Sequence, residues 1–281
     1  MTAPSRFAGG DPGYLRHQQY RDAGNLTRRA NLHARYRPPG TLPWFAFVGA
    51  RLDLEPGADV LEVGCGPGWL WADLPGPVPA GVHLTLADLS GGMVAEAVGR
   101  AGGTGRYAGV RGAVVDAQAL PVPGARFDRV VANHMLYHLP DPARGVAELA
   151  RAVRPGGTAV VSTSGRRHMA PLGRIRAAVF GVPEVHETIG VFGAEVGFGL
   201  LRERFDQVAW HGHPHELRCT DPADVLAYLR SMPPAEDAAD PELARLDAAV
   251  GQHFASHGEM VVTVDAGVFV CRGPRSGPAR R

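Results

Sequence analysis

The chain has 281 residues, 45% of them hydrophobic, and its 29 basic residues against 28 acids leave a formal net charge of +1. That length buries a substantial core in one domain with additions, and the near-neutral balance gives no broad electrostatic footprint for nucleic acid or an anionic membrane. With no run of ~18 apolar residues and no apolar signal core at the N-terminus, the sequence predicts a cytoplasmic protein without membrane spans.

In chain order, residues 1–12 read as a mobile lead. From Gly13 to Tyr36 the spacing predicts helices carrying Tyr14, Tyr20, Arg29, His33 and Tyr36, ahead of a Pro38-Pro39-Gly40 turn. Trp44 to Val48, with Leu52, reads as an amphipathic helix against a sheet. Val60-Leu61-Glu62-Val63 is an apolar run with one acid, and it closes on Gly64-Cys65-Gly66-Pro67-Gly68. Such a run predicts a buried parallel strand ending in a tight turn that presents bare amides to a ligand. The spacing is G-x-G-x-G, and Trp69 stands where a dinucleotide fingerprint has its third glycine. No Gly-Lys-Ser/Thr follows, which excludes a phosphate-binding P-loop. Cys65 fits as a small packing residue, and Trp69 and Trp71 as core or pocket residues.

Further strands are predicted at 83–88, ending in Asp88, at 109–115, leading to Asp116-Ala117-Gln118, and at 127–133, running into Asn133-His134. Pro142 to Val153 reads as a helix capped by Asp141, followed by a strand over 158–163. Helical spacing recurs through 166–205, then come a strand at 205–210, helices over 221–232 and 241–254, and one last strand over 260–271. His211, His213 and His215 are read as a turn rather than a metal site, because Gly212 and Pro214 interrupt them and no cysteine completes a zinc pattern. The three cysteines are too scattered for a disulfide framework.

Glu62, Gly64, Gly66 and Gly68 match the first motif, E/D-x-G-x-G-x-G, of the class I S-adenosylmethionine-dependent methyltransferases, and the chain resembles that family through five landmarks in order over residues 59–165. The resemblance implies an α/β Rossmann-like fold with a seven-stranded, mostly parallel sheet whose last strand is antiparallel. Residues 1–58 would form an N-terminal helical cap, 59–165 the cofactor-binding core, 166–272 a helical lid with the final strands, and 273–281 a disordered tail. It also implies S-adenosyl-L-methionine as cofactor and S-adenosyl-L-homocysteine as product. Asp88 would take the ribose hydroxyls with Leu89 and Met93 beside it, and Asp116 and Ala117 would meet the adenine. Gly64, Cys65, Gly66 and Gly68 would form the loop, and the Asn133 carbonyl would face the amine. Tyr14, Tyr20 and Arg29 would reach the methionine end, Arg29 as its carboxylate partner. Glu62 either favours the amine or holds backbone amides.

His134 is the candidate catalytic base or acceptor-orienting group, Tyr20 a second catalytic candidate, and His138 a structural tie. No metal is expected. The acceptor would be a small molecule bearing O, N or C, on a monomer or homodimer of the specialised-metabolite type. Against a nucleic-acid acceptor, Asn133-His134-Met135-Leu136 stands where amino-methylating enzymes carry Asn/Asp-Pro-Pro-Tyr/Phe. The alternatives are a cyclase or regulator that retains the cofactor, and an NAD-dependent oxidoreductase, opposed by Trp69 and the absence of any lysine.

Overall fold

The computed structural model describes residues 5–275. Among the described residues nine strands form: β1 Asp59–Val63, β2 His83–Asp88, β3 Gly109–Val114, β4 Phe127–Asn133, β5 Val153–Ser164, β6 Phe205–Gly212, β7 His215–Cys219, β8 Met260–Val264 and β9 Ala266–Pro274. Seven of them build one sheet in the order β3-β2-β1-β4-β5-β9-β6. The strands from β3 to β5 run parallel, and β9 inserts antiparallel between β5 and β6, pairing Thr158 with Arg272 on one side and Gln207 with Arg272 on the other. β1 and β4 are buried almost throughout because helices cover both faces of the sheet, so both are mainly apolar rather than alternating. This is the expected seven-stranded Rossmann-like sheet.

The helix Pro142–Ala152 has its expected cap, the Asp141 carboxylate accepting from the Arg144 N–H at 3.0 Å. It lays Val146, Leu149 and Ala150 on one face of the sheet, where the helix Ala194–Arg204 adds Leu201. The other face is covered by the helices Trp44–Gly49, Trp69–Ala72 and Gly91–Gly103 through Phe47, Leu70, Trp71 and Ala97.

A third core lies apart from the sheet. β7 and β8 pair as a two-stranded antiparallel ribbon, and the helices Gly24–Tyr36, Ala170–Phe180, Pro222–Leu229 and Asp240–His257 bury Leu32, Leu172, Val225 and Leu246 with it. The cap is therefore assembled from both ends of the chain.

The structure corrects four expectations. The apolar stretch 260–271 is two strands, not one. At Asp265 the backbone turns aside: its carbonyl accepts from the Gly165 N–H at 2.7 Å, and its own N–H donates to His168 Nδ1 at 3.3 Å. β8 thereby leaves the sheet to pair with β7, whose first residue, His215, falls where a turn is expected. Within the lead, Phe7 and Ala8 are buried, in a kinked segment over Arg6–Gly10 whose Ala8 and Gly9 depart from helical angles; residues 1–4 lie outside the described residues. Of the expected lid, Ala194–Arg204 packs on the sheet, and only the earlier part of that region faces the cap. Finally, Gly273 and Pro274 belong to β9 and Arg275 pairs with Asp206, so the tail expected over 273–281 falls outside the described residues only from 276.

Candidate active site

The carboxyl ends of β1, β2, β4 and β5 open into a cavity of about 760 Å³, roofed by the cap. It falls in the upper part of the ~300–1,000 Å³ range usual for small-molecule sites. At its floor is the glycine loop. Gly66, at φ +51°, faces open space: a Cβ there would meet nothing closer than Leu26 Cδ1 at 3.8 Å. Gly68 serves the fold instead. At φ +77°, a Cβ would stand 2.7 Å from the Cα of Ala97 in the helix packed over the loop, and Gly68 does not line the cavity, contrary to the sequence expectation.

Asp88, at the tip of β2, clamps the loop. One carboxylate oxygen accepts from the Gly66 N–H and the other from the Ser90 N–H, each at 2.9 Å. Burial raises its pKa, and the amides of Ser90, Gly66 and Leu89 pull the other way. Leu89, Met93 and Ala117 wall the cavity beside it, with Gly64 and Cys65 lining the floor. Asp116 stands exposed at the rim, its carboxylate accepting from the Gln118 N–H at 2.8 Å. Burial raises the Cys65 thiol far above its ordinary range, as a packing role requires.

Glu62 meets neither sequence reading in full. Its carboxylate accepts from the Trp71 indole N–H at 2.6 Å, and among the described residues it holds no backbone amide. Only 2% exposed, it has its pKa pushed up to about 8 by burial.

The roof contributes Arg29. Nη1 donates to the Gln19 side chain and the Ser231 carbonyl, both at 3.0 Å, while Nη2 is buried without a partner. Tyr20 donates its hydroxyl proton to His138 Nε2 at 2.8 Å, because His138 Nδ1–H is committed to the Phe7 carbonyl at 2.7 Å. The Tyr20 oxygen keeps its lone pairs. Tyr14 does not reach the cavity: the capped turn Pro12–Tyr14 directs its hydroxyl to Glu236 and Gln19, and Arg6 covers its ring at 4.3 Å.

Asn133 Oδ1 accepts from the Trp44 indole at 3.1 Å and from the Ser162 hydroxyl at 2.5 Å. Next to it His134 takes the left-handed conformation at φ +54°, rare for a residue with a Cβ, its N–H donating to Ser162 Oγ at 2.9 Å. The imidazole lines the cavity, 4.9 Å from the Trp44 ring centroid, and no described residue hydrogen-bonds to it.

The arrangement is an acid-tipped second strand and a glycine loop beneath a roof of cap helices, around one cavity of small-molecule size. A methyltransferase-domain family model matches residues 33–229, most of the chain. The chain belongs to the class I S-adenosylmethionine-dependent methyltransferases. Among its relatives are the malonyl-[acyl-carrier protein] O-methyltransferase of Hahella chejuensis, 37% identical over 37% of this chain and 36% of that protein. A ubiquinone biosynthesis O-methyltransferase of Xanthomonas euvesicatoria is 35% identical over 66% of this chain and 65% of that protein. Methyltransferase GfsG of Streptomyces halstedii is 32% identical over 51% and 55%. In each of these the matched stretch spans less than two-thirds of the relative's length.

Of the solved structures, the [4+2]-cyclase SpnF aligns over 97% of this chain and 98% of its own, with a TM-score of 0.57 and 20% identity. A Thiobacillus denitrificans enzyme in complex with S-adenosyl-L-homocysteine aligns over 88% and 98%, with a TM-score of 0.51 and 17% identity.

S-adenosylmethionine is the family's cofactor, and the residues present suit it. Arg29 Nη2 is an orphaned buried donor suited to a carboxylate, and the face of Gly66 is a cradle that a side chain would fill. Among the described residues no group of three His, Cys, Asp or Glu side chains is placed to hold a metal ion. His213 Nε2–H instead donates to the Leu42 carbonyl at 2.9 Å, and His215 Nδ1–H to the His213 carbonyl at 3.0 Å.

Sequence reasoning missed how many histidines the fold gathers here. His33, His134, His138, His168 and His186 line the cavity together with His213 and His215. Burial first, then their neighbours, lowers His134 and His138 to about 4 and His33, His168 and His186 to about 3. All five are neutral in the fold at pH 7, whereas each charges near 6.5 when unfolded. Depressed folded values give stability that is present above about pH 6.5 and lost as pH falls toward 4. Glu62 works oppositely, its cost growing from about pH 4.5 to 8, and Asp88 does too, but these are two groups against five. The denaturant midpoint of the ligand-free protein is therefore expected to be lower at pH 5 than at pH 7; an equal or higher midpoint at pH 5 would contradict neutral burial.

Proposed function

We propose that the chain transfers the methyl group of S-adenosylmethionine to a small-molecule acceptor, as a free-standing cytoplasmic enzyme of specialised metabolism acting as monomer or homodimer. What carries the reading is one cavity that joins the Asp88-clamped glycine loop to a wall holding the unpartnered His134 imidazole. No helix among the described residues is long and apolar enough to cross a membrane, which is compatible with that location.

Asp88 would take the ribose hydroxyls on its remaining lone pairs, Asp116 and Ala117 would meet the adenine, and Arg29 Nη2 would take the carboxylate. Glu62 and Asn133 would face the amine. When bound, the cofactor supplies a methyl group on a cationic sulfur, an electrophile that needs no strong Lewis acid. The chain's own work is to place the acceptor in line and exclude water. With its pKa near 4, His134 is a neutral hydrogen-bond acceptor that orients a nucleophile's proton first and removes it second. Tyr20, its proton committed to His138, offers an oxygen lone pair in the same cavity. An oxygen acceptor is favoured by the two O-methyltransferases among the relatives.

The test is calorimetric titration with S-adenosylmethionine and S-adenosylhomocysteine, then a screen of phenols, indoles, amines and keto acids for acceptor-dependent release of S-adenosylhomocysteine. Binding without release from any acceptor would favour a cyclase or regulator. His134→Ala is expected to bind S-adenosylhomocysteine within about threefold of wild type but to turn over about 10²–10⁴-fold more slowly; unchanged turnover would remove His134 from the chemistry.

A further inference from the structure

Arg176 lies on the helix Ala170–Phe180 that follows β5, and it lines the cavity at 7% exposure. Among the described residues its guanidinium makes no hydrogen bond and no ion pair, and its Nε is wholly buried without a partner. A guanidinium cannot shed its charge as a carboxylate or imidazole does. Leaving one buried and unpaired is among the costlier things a fold can do, unless something that enters the cavity completes it. Elsewhere the chain pairs even half-exposed arginines, such as Arg126 with Asp59 and Arg154 with Asp128.

The surroundings supply further donors, and of the nearby acids Glu187 acts on Arg176 through space without bonding to it. His186 Nδ1 accepts from the Thr188 N–H at 3.4 Å and His168 Nδ1 from the Asp265 N–H at 3.3 Å, so each ring carries its proton on Nε2. Both rings line the cavity, and His186 feels Arg176 and His168. Glu184 lines the same cavity without bonding to Arg176, and Glu187 accepts from Ser5. The cofactor's own carboxylate already has a candidate partner in Arg29, whose buried Nη2 has no partner among the described residues and whose guanidinium lies over the Tyr20 ring; Arg176 is a second such guanidinium, on a different helix.

We propose that Arg176, with His168 and His186, is an anion subsite of the acceptor pocket, so that the molecule methylated carries a carboxylate or phosphate. The guanidinium grips two of its oxygens, and the histidine Nε2–H groups donate to the rest. The subsite rests on the methyltransferase reading above. It adds a class of substrate: an anion whose nucleophilic atom lies away from its charged end.

The experiment is calorimetry on protein saturated with S-adenosylhomocysteine, titrated with matched pairs. These are 4-hydroxybenzoate against its methyl ester, indole-3-pyruvate against its methyl ester, and 4-hydroxyphenyl phosphate against hydroquinone. At least one anion is expected to bind about tenfold or more tightly than its neutral mate, and the pair that shows this separates carboxylate from phosphate. Arg176→Gln should erase the preference and Arg176→Lys should keep part of it, with S-adenosylhomocysteine affinity unchanged in both. No preference in wild type, or one that survives in Arg176→Gln, overturns the proposal. So does loss of S-adenosylhomocysteine binding in a folded Arg176→Gln, which would assign Arg176 to the cofactor. If Arg176→Gln does not fold, Arg176→Lys decides by whether the preference shrinks. Failure of wild type to bind S-adenosylhomocysteine at all is a different result, and it would sink the methyltransferase reading itself.

Discussion

Asp88→Ala is expected to bind S-adenosylhomocysteine at least about 100-fold more weakly than wild type. In wild type the carboxylate does two things at once: it accepts the Gly66 and Ser90 amides, each at 2.9 Å, and it presents its remaining lone pairs to the cavity. Hydrogen bonds to a charged acceptor are worth roughly 1.5–3 kcal/mol each, so losing two ribose hydroxyls alone accounts for about 3–6 kcal/mol. The loop term adds to this, because the Gly66 amide loses its acceptor. Asp88→Asn separates the terms: its amide oxygen still accepts one loop N–H but brings no charge, so binding should fall between the two. Calorimetry gives the affinity, and the melting temperature of the ligand-free variants reports how far the loop loosens. Unchanged affinity in Asp88→Ala would sink the site assignment. Since burial raises the Asp88 pKa, affinity should also decline as pH falls through that raised value, when the carboxylate takes up a proton.

What the sequence made legible is what is local. The β1 run and its glycine loop, the acid at the end of β2 and the cap at Asp141 each need only a handful of consecutive residues, and all are found where expected. Contacts between distant segments were not legible. Residues 260–271 alternate like one strand, and only the far-off loop around Gly165, by capturing the Asp265 carbonyl, splits it into β8 and β9. Phe7 lies 131 residues from the histidine whose tautomer it fixes. Tyr14 and Tyr20 look equivalent on a helical pattern, yet one turns to Glu236 and the other to His138. Arg176 carried no signal at all, because what distinguishes it is the absence of a partner in three dimensions. The roof over the cavity is built from such contacts, which is why the cofactor half could be read and the acceptor half could not.

The glycine loop allows the two halves of its role to be pulled apart. Gly68→Ala places a methyl 2.7 Å from the Cα of Ala97 and holds it at φ +77°. Ala97 is backbone of a packed helix at 0% exposure and has nowhere to move. Left-handed strain of about 1–2 kcal/mol and overpacking of about 1–3 kcal/mol together suggest a loss of roughly 2–5 kcal/mol. For a chain of this size that lowers the melting temperature by about 5–15 °C. Gly66→Ala, at φ +51° with only Leu26 nearby at 3.8 Å, carries the strain without the clash, so its melting temperature should fall by only a few degrees. Its methyl, however, projects where the cofactor would lie against bare backbone in the proposed site, and S-adenosylhomocysteine affinity should drop by tenfold or more, about 1.4 kcal/mol. The two variants thus predict opposite orders in the two measurements, with Gly68→Ala worse in the melt and Gly66→Ala worse in the titration relative to its own stability. If Gly66→Ala binds like wild type, the cofactor does not rest on that face of the loop. If both variants lose stability equally and binding equally, the loop is one mechanical unit and the division of labour between its glycines is wrong.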